Sequence, residues 1–351
     1  MNTLPVEILD KILGHACTDG GGTGCSLALT SKTIRDVVRH CRFRTVALEC
    51  QPSRLAAFLS LHEQECRLSL RIRPRVLHLH LTFPLIPSWA SAEELANLPQ
   101  TLSSIQLSLY RAPPTLPPSA CAHEPTYDNA TLPLVTALLA LVAPDLQSLV
   151  LQHGITHPGF STPCFRLFSH PFPSLRDLTF FGFTHHDWLL VDLFAPRLPL
   201  FPALTRLHLS TPSESFAVDP AAWAPDTPVL THFHVSELWG IPPLLLEVLG
   251  GRERLSSLFL PSSKPPAVTT LTTSMWPDLR VLSLQRRYRS DGVRAAQPAL
   301  MLQPYANDIE EVMDGRLRVE VLDAAQAQEG YVGRVREVRR DWESRIVRDL
   351  I

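Results

Sequence analysis

Pro173-Ser-Leu175-Arg-Asp-Leu178-Thr-Phe180 is followed by Pro202-Ala-Leu204-Thr-Arg-Leu207-His-Leu209, by Pro228-Val-Leu230-Thr-His-Phe233-His-Val235 and by Pro277-Asp-Leu279-Arg-Val-Leu282-Ser-Leu284. One phrase, proline then L-x-x-L-x-L, recurs through the second half of the chain. A phrase that returns at a near-constant interval sets the architecture before any single residue is weighed. In an extended segment alternate side chains face opposite ways, so Leu178 and Phe180 turn inward while Asp177 and Thr179 turn outward. One such strand cannot bury its apolar side alone. Stacked neighbours bury it together and leave the alternate positions as a ladder on an outer, concave face. The proline ahead of each copy suits the first residue of a strand, where a missing N–H matters least.

Weaker copies extend the series: Val76-x-x-Leu79-x-Leu81, Leu102-x-x-Ile105-x-Leu107, Leu146-x-x-Leu149-x-Leu151 and Leu255-x-x-Leu258-x-Leu260. The first positions Leu146, Leu175, Leu204, Leu230, Leu255 and Leu279 follow one another at 29, 29, 26, 25 and 24 residues. These steps sit at the upper end of the roughly 20–29-residue period of leucine-rich repeats. Leu102 to Leu146 is 44 residues, an insertion visible as the proline-rich Ala112-Pro-Pro-Thr-Leu-Pro-Pro-Ser119. Over residues 43–290 the units resemble irregular leucine-rich repeats. The Asn or Cys usual after the strand is missing; Phe183, Pro212, Leu238, Ser263 and Arg287 stand there. An all-β sandwich or propeller is the alternative for regularly spaced strands. The spacing here leaves room for a return path in each unit, which favours α/β.

The 351 residues are 45% hydrophobic, enough for a substantial core in one elongated domain or two. A net charge of −2 supplies no field to recruit nucleic acid or an anionic membrane, and neither is expected as a partner. Met1-Asn-Thr-Leu-Pro-Val-Glu lacks the basic and apolar regions of a signal peptide, and the longest apolar stretch, Leu132 to Ala143, contains Pro133 and is too short to span a bilayer. Seven cysteines, an odd number without a C-x-x-C pair, read as reduced thiols in the cytoplasm or nucleus.

Residues 4–45 follow a different pattern. Leu4-Pro5-Val6-Glu7 opens a helix, with proline and an acidic residue in its first turn. Ile8, Leu9, Ile12, Leu13 and Ala16 continue it on one broad face. The run Asp19-Gly-Gly-Gly-Thr-Gly24 predicts a flexible loop. A second apolar cluster follows at Leu27, Ala28 and Leu29. Ser31 then caps a helix carrying Ile34, Val37, Val38 and Cys41.

LPVEILDKIL, then SLALTSKTIRDVV, then Phe43-Arg-Thr-Val46-Ala-Leu48 resembles an F-box. An F-box joined directly to degenerate leucine-rich repeats resembles the fungal type of such proteins. Thr30 stands where a hydrophobic residue is usual before Ser-Lys, and Ile34 where an aromatic is common. The resemblance implies a non-catalytic adaptor that docks on a Skp-family linker and through it on a cullin, with the repeats holding a protein substrate for ubiquitin transfer. It implies that Leu4, Pro5, Ile8, Leu9 and Ile12 contact the linker, with Leu27 and Leu29 from the second cluster. A few aliphatic anchors of this kind suit a helix-in-groove contact. The alternative is a repeat scaffold without a ubiquitin role, its N-terminal helices only a cap over the first repeat.

Outward strand positions are the candidates for substrate contact: Asp177, Arg206, His208, His232 and His234, lying side by side on neighbouring strands. No carboxylate or cysteine joins the histidines in a zinc-ligand pattern, so no metal is expected. His185-His186-Asp187 has no accompanying G-x-S-x-G, H-E-x-x-H or phosphate loop, and neither catalytic residues nor a cofactor are expected.

After Tyr288 the character changes. Leu317-Arg-Val319-Glu-Val321 alternates like an edge strand, and Val332, Val335, Val338, Trp342 and Ile346 form a helical stripe among arginines. The expected organisation is α/β throughout: F-box-like helices at 1–45, an irregular leucine-rich-repeat solenoid at 46–290 with an insertion near 112–131, and a strand-helix cap at 291–351 whose arginines are solvated.

Overall fold

In four places the recurring phrase folds as a turn and then a strand. Leu175 N–H donates to Phe172 O at 3.3 Å, Leu204 to Phe201 at 3.2 Å, Leu230 to Thr227 at 3.3 Å and Leu279 to Trp276 at 3.2 Å. Each proline is the second residue of a β-turn, where its fixed φ fits, and not a strand's first residue as the phrase alone suggests. The strand begins four residues after the proline, once the chain has turned up onto the sheet.

This computed structural model describes residues 4–39, 41–68, 73–83, 131–153, 167–168, 170–182, 198–210, 223–238, 276–286, 317–322 and 330–350. Its strands are β1 (Thr45–Glu49), β2 (His78–Phe83), β3 (Ser148–His153), β4 (Asp177–Phe181), β5 (Arg206–Ser210), β6 (His232–Leu238), β7 (Val281–Arg286) and β8 (Arg318–Leu322). They form one eight-stranded sheet in chain order, every pair parallel. Parallel neighbours need long crossovers, and the repeat length of the phrase supplies them. The architecture is mixed α/β. The register places Val46, Leu79, Leu149, Leu178, Leu207, Phe233, Leu282 and Val319 opposite one another. All eight belong to one core.

Helix α4 (Pro52–Leu68) adds Leu55, Ala56 and Leu59 to that core, and α5 (Thr131–Val142) adds Leu134, Val135, Leu138, Leu139 and Val142. Further along, aromatics fill the same side. Phe168 meets Phe172, Phe180 and Phe201 edge-on, with centroids 5.1 to 6.1 Å apart. Where the third copy has Thr227 in place of an aromatic, its hydroxyl donates to Trp223 O at 2.9 Å and accepts the Trp276 indole N–H at 3.0 Å.

Val46 and Leu48, grouped with the helical module by resemblance, lie in β1 and start the sheet. Leu102–Leu107, Leu255–Leu260, the proline-rich insertion, His185–Asp187 and all post-strand turn positions except Leu238 lie outside the described residues. Between β2 and β3, and between β6 and β7, the sheet has no intervening strand, because each pair bonds directly. Eight strands are described, with β1 and β8 taking the two ends of the sheet.

The N-terminal helices are α1 (Val6–Ala16), α2 (Gly22–Ala28) and α3 (Lys32–Val38). They close a small core of Leu13, Cys17, Val38 and Cys41. Ser31 caps α3 as expected, its hydroxyl accepting the Ile34 N–H at 3.1 Å. The expected loop over Asp19–Gly24 is corrected: only a tight turn precedes α2. Gly20 and Gly21 take φ of 77° and 98°, and the Asp19 carboxylate accepts the Thr23 N–H at 2.9 Å. Gly24 then packs against Arg42, whose Cβ lies 2.8 Å from where a side-chain carbon would stand. The glycines serve a turn and a close approach, not slack. Ala47 N–H donates to Gly20 O at 3.1 Å, and Arg39 and Arg42 pair with Glu65 of α4 at 3.0 and 2.6 Å, so these helices are docked on the sheet's first edge.

The C-terminal element also differs from expectation. β8 closes the far edge of the sheet, but helix α6 (Gly330–Leu350) does not extend the stack beyond it. It crosses the outer face near the opposite end, against β2, β3 and β4.

Candidate functional site

Two surfaces carry the sequence-predicted site residues. The first is α1 and the end of α2. Pro5 caps α1, accepting the Ile8 and Leu9 N–H groups at 3.1 Å each. Four-residue spacing then places Ile8 and Ile12 on one side of the helix, 43% and 50% exposed, and Leu4 stands just ahead of the cap, 45% exposed. Leu29 stands 80% exposed just past α2, and Pro5 is exposed. Leu9 and Leu27 turn the other way and pack against the small core. Single exposed aliphatics are ordinary; a helix that buries one apolar side and presents a second has surface to spare for a partner. Cys17 beneath it is an inert thiol, pushed up to about 11 by burial and then by the Asp19 charge.

The second surface is the outer face of the sheet, and α6 occupies much of it. Arg339 donates to Asp19 O at 3.1 Å beside β1. Three residues later the Trp342 indole N–H donates to Ser148 Oγ on β3 at 2.9 Å, with its ring 5.3 Å from His80 on β2. The Ser148 hydroxyl also shares a hydrogen bond with His78 Nδ1 at 3.2 Å. Three residues further, Arg345 Nη1 grips both oxygens of Asp177 on β4 at 3.0 and 2.8 Å. Trp342 and Ile346 are buried on Val150. Arg345, expected to be solvated, is therefore a buried clasp.

Asp177 lies outward, as alternation requires, but is covered. Burial pushes its carboxyl above the usual range, while Arg345 and then Arg206 pull it back. The next two strands hold the remaining candidates. His208 and His234 stack with centroids 4.0 Å apart and planes 9° apart. His208 Nε2 bonds Ser236 Oγ at 2.8 Å. Burial holds His208 well below the ordinary imidazole value, aided by His234 and Arg345; burial then Arg345 bring His234 to about 4. His78 and His80 are likewise lowered to about 4, chiefly by burial. These rings are neutral polar fillers near neutral pH. Arg206 and His232 are exposed beyond the helix, and His232 Nδ1 meets Thr231 Oγ1 at 2.8 Å.

The structure brings Asp177, Arg206, His208, His232 and His234 onto adjacent strands through one register. It separates them into a covered part and an open part. The clasp residues Trp342 and Arg345 were missed as site residues; the Val338, Trp342, Ile346 stripe signalled a buried helix face but not its seat. Among the described residues no three His, Cys, Asp or Glu side chains are gathered to hold a metal ion, and no helix is long and apolar enough to cross a membrane. No family model matches the chain, and neither the curated proteins nor the solved structures contain a match to it.

Proposed function

We propose that this chain is the substrate-recruiting F-box adaptor of a Skp-cullin-F-box ubiquitin ligase, its parallel sheet a degenerate leucine-rich-repeat solenoid. It is non-catalytic in this reading. The observation that carries it is the second apolar side of α1, where Leu4, Ile8 and Ile12 face solvent while Leu9 and Leu13 complete the core. That division of labour matches the LPVEILDKIL phrase, which demands more aliphatic residues than a three-helix core consumes. The linker docks there through a helix-in-groove contact. The outer sheet face receives the protein substrate, raising its effective concentration at the conjugating enzyme.

The second reading, a repeat scaffold capped by its N-terminal helices, draws on the bonds from those helices to β1 and α4. Co-expression with a Skp-family linker and pull-down separates the two. Capture by the native chain, lost in Leu4→Asp/Ile8→Asp, is the adaptor's outcome. A folded native chain that captures no linker sinks the adaptor reading and leaves the scaffold.

A further inference from the structure

Helix α6 sits on the sheet without belonging to its core. The strands, α4 and α5 share one continuous cluster, while Trp342, Ile346 and Val338 form a separate small one with Val150. The rest of the seat is polar: the Trp342 to Ser148 bond and the Arg345 clasp on Asp177. Around that clasp the fit is incomplete. His80 Nδ1, Gln152 Nε2, Thr179 Oγ1 and His234 Nε2 on the sheet, with Arg345 Nε on the helix, are buried without hydrogen-bond partners. Gln152 and Thr179 are completely buried. Permanent interiors pair nearly all such atoms. His80 is oriented by donating Nε2–H to Gln152 Oε1 at 2.8 Å, which leaves its bare Nδ1 as an acceptor awaiting a donor.

We propose that α6 is a self-ligand, holding in cis a docking face that receives an amphipathic helix of a partner protein in trans. The occupant follows from the chemistry that α6 displays and lacks. It carries an indole or similar N–H-bearing aromatic for Ser148 and His80, an arginine three positions on for Asp177, and an aliphatic residue next to that arginine for Val150. It adds amide or hydroxyl side chains that pair Gln152, Thr179 and His80, which α6 does not. A better-paired helix displaces a worse-paired one only by overcoming the tether. A tethered helix with an effective concentration of about 1 mM and an affinity of its own of about 10 µM weakens any competitor by about 100-fold. The unliganded chain therefore keeps the face closed. This inference rests on the outer face being the partner surface, but not on linker docking, which involves α1 and α2.

The test uses full-length chains and a fluorescein-labelled peptide of residues 330–351, read by anisotropy. Trp342→Ala/Ile346→Ala weakens the cis helix, and Arg345→Glu does so without making a cavity. Each variant should bind the peptide at least about ten-fold more tightly than the native chain. A peptide carrying Arg345→Glu should lose that binding, and Asp177→Arg added to the Trp342→Ala/Ile346→Ala chain should recover it. The proposal is overturned if folded variants take up no peptide, if native and variant chains bind it equally, or if the Asp177→Arg chain fails to recover the charge-reversed peptide. Linker capture, measured on the same variants, reports on the adaptor reading alone.

Discussion

Replacing Arg345 with methionine tests the clasp most directly. The substitution keeps an unbranched side chain and removes the guanidinium from Asp177. In the native chain the two side chains are only 17% and 12% exposed, so solvent does little to screen the loss. Breaking a buried pair from one side costs about 3–5 kcal/mol, because the carboxylate stays behind uncompensated. Asp177→Asn should cost only about 1–2 kcal/mol, since Arg345 retains Asp341 at 3.1 Å. The double variant, with no buried charge left, should fall within about 1 kcal/mol of native. Native-state hydrogen exchange across residues 337–348 reads this: about 3 kcal/mol speeds exchange by about 150-fold in Arg345→Met. The sign of its pH dependence is also fixed. Burial raises the Asp177 pKa in the docked state, and without Arg345 only Arg206 still opposes that rise. A docked carboxyl that protonates above the unfolded value of about 3.9 gains stability as pH falls through its raised pKa. The penalty, relative to native, is full at alkaline pH and shrinks on acidification. Single substitutions that add to within about 0.5 kcal/mol, or a penalty flat with pH, would refute the clasp.

Ile8→Asp/Ile12→Asp should leave the melting temperature nearly unchanged because both side chains are solvent-facing, whereas Leu13→Ala should cost about 2–4 kcal/mol. A melt lowered equally by both would show that the exposed side is covered. Gly24→Ala should destabilise by about 1–3 kcal/mol through its clash with Arg42, while Gly14→Ala, whose new carbon meets only Arg44 Nη1 at 3.5 Å, should gain about 0.5–1 kcal/mol in urea titration. His78, His80, His208 and His234 all have folded pKa values below the unfolded value of about 6.5, so the unfolded state takes up protons first. Their stability is intact above that value and is lost as pH falls toward about 4. Each imidazole contributes about 1 kcal/mol of loss by pH 5.5, and a urea midpoint unchanged between pH 7.5 and 5.5 would contradict their burial.

Strands β2 through β7 were legible because alternation is a local rule, and Leu178, Leu207 and Leu282 obey it within six residues of their prolines. The turn was legible too and passed over: Phe172, Phe201 and Trp276 each stand before the proline, the mark of a buried turn position repeated. The glycine run misled because composition reports freedom of the backbone, and Gly24 spends that freedom on contact with Arg42. Outwardness of Asp177 was read correctly, but not its cover. Arg345 reaches it across 168 residues of chain, and Trp342 reaches Ser148 across 194. Periodicity shows that a helix has an apolar side; it does not say which of two sheet faces that side will meet.

Arg339, Trp342 and Arg345 address β1's flank, β2 with β3, and β4 at intervals of three residues. Six residues of helix rise about 9 Å, short of the roughly 14 Å from β1 to β4, and the long side chains of Arg339 and Arg345 span the difference. A sheet assembled in chain order ordinarily loosens one strand at a time, each strand answerable only to its neighbours. Here one helix, α6, ties the first four strands and the N-terminal helices into a single melting unit, while β7 and β8 keep the freedom to fray.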